Sequence, residues 1–200
     1  MLLERKLLVH FMLDVDGTLY QGLDLAERAW HATKSNPRSI GVEIANLGAY
    51  PPGKGAILEQ WYTEDADGPV LAPPARLGDI GVRTSGFVAR PARWQKVVGE
   101  TQGETLEQYD FTQEQYAALG KLAAGLARIF PKLAPEAPRA PDGSVANAVL
   151  SDDAWSQFHG ILGHYHVQLN KTDPGPAFDW EPFLARVREE LARPAATGTP

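Results

Sequence analysis

Apolar and polar residues alternate along the first strand-like stretch. Leu7, Val9, Phe11, Leu13 and Val15 fall on one face of an extended chain, with His10 and Asp14 on the other. Asp16-Gly17 follows, then Thr18, Leu19 and Tyr20. Alternation on both sides of an Asp-Gly pair predicts a β-hairpin, because such turns need positive φ. "RSIGVEIAN" (38–46) predicts a further strand with Ile40, Val42 and Ile44 on one face and Glu43 on the other. The period changes after Thr112, which forms a capping box with Gln115. The helix it opens carries Tyr116, Leu119, Leu122, Ala123, Leu126 and Ile129 on one stripe, and Pro131 ends it. "DDAWSQFHG" predicts a short helix ending at Gly160, "ILGHYHVQ" (161–168) a strand, and Trp180, Phe183, Leu184, Val187 and Leu191 a last amphipathic helix. This order predicts an α/β fold, a single domain with a mixed central β-sheet flanked by α-helices.

Proline and glycine interrupt the pattern in two stretches, 48–92 and 131–144, which read as long ordered loops or insertions. A domain over 1–192 with a frayed tail at 193–200 is expected. Two hundred residues with 44% hydrophobic content can bury a substantial core. A net charge of −6 gives no reason to expect nucleic acid or an anionic membrane as partner, and no apolar run is long enough to span a bilayer. The first residues, broken by Glu4 and His10 and followed by no small-residue cleavage site, do not read as a signal peptide. With no cysteine, thiol nucleophiles are excluded and any metal site must use His, Asp or Glu.

Two places offer candidate chemistry. "FMLDVDGTLY" (11–20) resembles the nucleophile loop of the haloacid-dehalogenase phosphatases, and Thr84, Lys132 and Asp152-Asp153 follow in the order such an enzyme needs. The competing reading of Asp14 and Asp16 is turn chemistry, and a phosphatase leaves the last 40 residues without a role. There, three of the five histidines fall within eight residues, in "HGILGHYHVQLNKTDPGPAFDW". On a strand, His164 and His166 would share a face, with Lys171 and Asp173 on the next segment. Imidazole and carboxylate make a sound zinc set, and a nearby lysine can stabilise an oxyanion. Surface histidines beside a Pro-Gly turn are the plain alternative.

The block "GHYHVQLNKTDPGPAFDW" resembles the C-terminal signature of the zinc-dependent N-acetylmuramoyl-L-alanine amidases. This is the amidase-2 family, related to the T7-type lysozyme and the peptidoglycan-recognition proteins. "VHFMLDVDGTLYQ", "ERAWHA", "NPRSIGVEIAN" and "FTQEQYAALGKLAAGLARIFP" resemble further pieces of that family in its own order. Together they cover about residues 8–184, apart from an insertion at about 48–105.

The resemblance implies zinc-dependent hydrolysis of the amide between N-acetylmuramic acid and L-alanine in peptidoglycan or muropeptides. Carried over by position, it makes His164 and Asp173 ligands to Zn2+, Glu43 the general base, Lys171 the oxyanion-stabilising group and His31 a substrate contact. The family's first zinc ligand, a histidine on a strand before the hairpin, has no counterpart in "MLLERKLL". Two of three ligands are therefore matched: either the chain is a truncated or mis-started version without the N-terminal strand, or another residue fills the gap, with His10, His31 and His166 as candidates. His159 and His166 have no catalytic counterpart. A catalytically incomplete peptidoglycan- or muropeptide-binding module is the second reading.

Overall fold

The structure is a computed structural model that describes residues 8–194. The expected tail at 193–200 therefore lies almost wholly outside the described residues.

The predicted hairpin forms β1 (Phe11–Leu13) and β2 (Leu19–Gln21), antiparallel with Met12 opposite Tyr20. Gly17 supplies the positive φ of 81° that the turn requires. β3 (Val42–Ile44) adds parallel to β1, so the three strands run β2-β1-β3 in a mixed sheet. Leu13 is buried and Val42 and Ile44 pack on the core, whereas Glu43, opposite Met12, lies exposed on the other face. The alternation seen in the sequence fixes this division of faces.

The core is closed by α2 (Gln113–Ile129) and α4 (Trp180–Ala192), which pack on each other. Phe111, Tyr116, Leu119, Phe178, Phe183, Leu184 and Val187 fill the space between the helices and Leu13. Gly120 permits the close approach of the helices, since a Cβ there would stand 2.8 Å from the Arg186 side chain. The Thr112–Gln115 capping box forms as expected, and it does more than end a helix. Thr112 Oγ1 also donates to the Val15 carbonyl (2.7 Å), and Gln115 Nε2 donates to the Ala45 carbonyl (2.7 Å). The cap thus ties α2 to the hairpin turn and to the end of β3.

The insertion is more regular than its composition suggests. It contains α1 (Ala56–Trp61), the hairpin β4–β5 (Tyr62–Asp65 and Gly68–Leu71) and the start of a second hairpin, β6–β7 (Val97–Thr101 and Glu104–Gln108). Gln102 and Gly103 link β6 to β7 with φ of 57° and 76°, the left-handed pair that a two-residue hairpin turn requires.

Segment 161–168 departs from the expectation. It is not a strand; His164–His166 form a 3-10 turn. His164 and His166 therefore do not share a face. His166 is fully buried, accepting from the Gly163 N–H at Nδ1 (2.9 Å) and directing Nε2 to the Ala146 carbonyl (2.7 Å). Burial holds its pKa down at about 4, against the opposing pull of that carbonyl.

Candidate active site

The site is assembled from the loop that follows Gly163. His164 turns back on Asp173, with Nδ1 3.0 Å from Oδ2, and its Nε2 meets the Gln168 amide oxygen. Burial opposes protonation of His164, but the Asp173 carboxylate and Gln168 outweigh it and raise the pKa. Asp173 moves the other way. Loss of water would raise its pKa, but His164 more than compensates and lowers it. The Lys171 charge is close enough to depress both values, so His164, Lys171 and Asp173 form one electrostatic group.

His31 approaches this group from the other half of the chain. Its Nε2 lies 3.1 Å from Ser39 Oγ, whose own proton goes to the Ser35 carbonyl at 2.6 Å. Nε2 must then carry the proton and Nδ1 the lone pair. Burial, then electrostatic interaction with His164 and His10, brings the His31 pKa down to about 4, so the ring is neutral near pH 7. The ring lies against Gly41, where a Cβ would stand 2.8 Å away, and Gly41 is two residues before Glu43 on β3. Asn36 Oδ1 accepts from the amides of His31 and Ala32, fixing the turn that carries the ring.

A short helix joins these halves. In α3 (Asp152–Gln157), Trp155 donates to Ser35 Oγ at 2.8 Å and lies beneath Lys34 and Arg38 at 4.9 and 5.0 Å. Arg38 caps the Ser156 and Phe158 carbonyls, and Asp152 pairs with Lys34. Asp152 is thus engaged in this docking. Asp14 accepts from the Val15 amide and Asp16 from the Thr18 amide, which is turn chemistry, and Asp16 also accepts from the amide and hydroxyl of Thr84, 68 residues along the chain.

The remaining histidines are accounted for separately. His10 is buried, with Nδ1 accepting from the Gly41 amide (3.0 Å) and Nε2 directed to the Glu27 carbonyl (3.1 Å). His166 is likewise satisfied, and His159 is exposed. The sequence reading missed Gln102 and Gln108, which contact the site loop, and Gln168 within it; the Gln-Gly pair between two β-rich runs was the available signal for the first of them.

The fold is that of an α/β amidase. The Amidase_2 family, N-acetylmuramoyl-L-alanine amidase, matches residues 3–176, and the chain belongs to that family. Comparison with curated proteins and with solved structures yields no match. Membership supports a function of the peptidoglycan amidase type in general. Among the described residues, no helix is long and apolar enough to cross a membrane.

The zinc that the family resemblance implies can be tested on the donors present. A zinc site needs at least three protein donors. Among the described residues, no group of three or more His, Asp or Glu is placed to hold a metal ion. His164 and Asp173 lie together, whereas His10 and His166 are bonded through both ring nitrogens to backbone groups outside that pair and His31 is bonded through Nε2 to Ser39. This donor set does not fit a complete zinc site.

Proposed function

We propose that this chain hydrolyses the amide bond between N-acetylmuramic acid and L-alanine in peptidoglycan or muropeptides. What carries the reading is the convergence of His164, Lys171 and Asp173 in one electrostatic group, in a chain of an amidase family. Lys171, a cation beside that group, is suited to hold negative charge developing on the carbonyl oxygen. Glu43 is assigned the proton transfer, taking a proton from the attacking water and returning it to the departing L-alanine amine. His31, neutral and with its Nδ1 lone pair uncommitted to Ser39, would accept a hydrogen bond from a substrate amide.

The two-donor set favours a second reading, a module that binds muropeptide without cleaving it. A purified disaccharide-peptide, incubated with the protein with and without added zinc and followed by mass spectrometry, separates the two. Release of a peptide with a free L-alanine amine, together with the disaccharide, supports hydrolysis. Saturable binding of intact muropeptide supports the second reading, and absence of both overturns the assignment.

A further inference from the structure

The site loop is held from outside by the β6–β7 hairpin, much of it in the insertion. At the hairpin tip, the Gln102 side-chain amide donates to the carbonyls of Tyr165 and Gln168, both at 2.8 Å, and reaches the Lys171 carbonyl at 3.5 Å. Its Oε1 accepts from the Val149 amide (3.1 Å), and its backbone N–H donates to the Asn147 carbonyl (2.9 Å). Gln102 holds this position from the left-handed backbone of the hairpin turn. At the other end of the same loop, Gln108 donates to the Pro174 carbonyl (2.9 Å) and accepts from the Ala177 amide (3.1 Å). Between them β6 comes close to the loop at Gly99, where a Cβ would stand 2.9 Å from Pro176.

We propose that Gln102 is a positioning residue for the site. Through the Tyr165 and Gln168 carbonyls, it fixes the loop so that Lys171 and Asp173 are held beside His164. The consequence for turnover rests on the amidase reading; the consequence for loop order does not. Two close carbonyls and a third at 3.5 Å require a donor at this end of the side chain, while the Val149 amide requires an acceptor at the other, and the carboxamide supplies both. The Gln168 carbonyl also receives the Lys171 amide, so the contact reaches Lys171 directly.

Gln102→Glu keeps the shape and the acceptor for Val149 but turns an oxygen toward the carbonyls; Gln102→Ala removes both. Hydrogen–deuterium exchange on the full chain is the primary readout, with thermal melting alongside. In both variants the amides of Val167, Gln168 and Lys171 are expected to exchange about tenfold faster, with those of β1 and α2 unchanged. In the muropeptide assay kcat falls by about tenfold and KM stays within about twofold, as expected when a group is misplaced for the chemical step only. Unchanged exchange in 165–171, an equal increase throughout the fold, or an unchanged kcat overturns the proposal. A wild-type chain that cleaves nothing refutes the amidase reading, and the exchange pattern then decides Gln102 by itself.

Discussion

Thr112 is small, yet the start of α2 and the hairpin turn meet at its hydroxyl. Oγ1 accepts from the Gln115 amide at 3.0 Å and donates to the Val15 carbonyl at 2.7 Å, in a side chain that is 5% exposed. Thr112→Val keeps the volume and removes both bonds. Loss of an N-cap costs about 1 kcal/mol, and a buried carbonyl left without its donor about 1–3 kcal/mol. The sum is about 3 kcal/mol, which for a domain of this size lowers Tm by about 6–12 °C. Thr112→Ser retains the hydroxyl and loses one methyl, about 1 kcal/mol, for a fall of about 2–4 °C. Differential scanning calorimetry on the three proteins measures the contrast. A Thr112→Val protein melting within about 2 °C of wild type would refute the reasoning, because the cap would then contribute little beyond packing.

Other consequences are equally open to measurement. Gly41→Ala places a methyl 2.8 Å from the His31 ring, so the ring must move; muropeptide binding by calorimetry should weaken by about tenfold, with Tm lowered by only a few degrees. The carboxyl of Asp16 is held at about 2, since hydrogen bonds from Thr18 and Thr84 outweigh the cost of partial burial. Its contribution is complete above about pH 4 and is lost as pH falls through about 2, so acid unfolding of wild type should include a component that Asp16→Asn lacks. After allowing for solvent screening that component is roughly 1 kcal/mol.

What could be read in the sequence was what depends on neighbours along the chain. The alternation of Leu13, Val42 and Ile44, the Asp-Gly turn and the Thr112–Gln115 box are local patterns, and each appears where it was expected. The strand expected at 161–168 failed because tertiary partners decide that segment. Gly163 N–H and the Ala146 carbonyl, 20 residues away, draw His166 inward and curl the chain into a 3-10 turn. Alternation of His164 and His166 carries no information about such partners. Within the site, the pairing of His164 with Asp173 was legible from the resemblance, and the structure brings those two together. The β6–β7 brace was not, because Gln102 and Gln108 act through backbone carbonyls of a loop that is more than 50 residues distant in sequence.

The central claim is that the group around His164, Lys171 and Asp173 is where the muropeptide amide is broken. The most direct measurement is the rate of L-alanyl peptide release from a purified muropeptide by wild type and by Lys171→Ala, each with zinc supplied and each checked for an unchanged Tm. The account predicts release by wild type and a rate lower by about 100-fold in Lys171→Ala, the scale for losing an oxyanion-stabilising group. Equal rates in the two proteins, or no release by wild type, would contradict it.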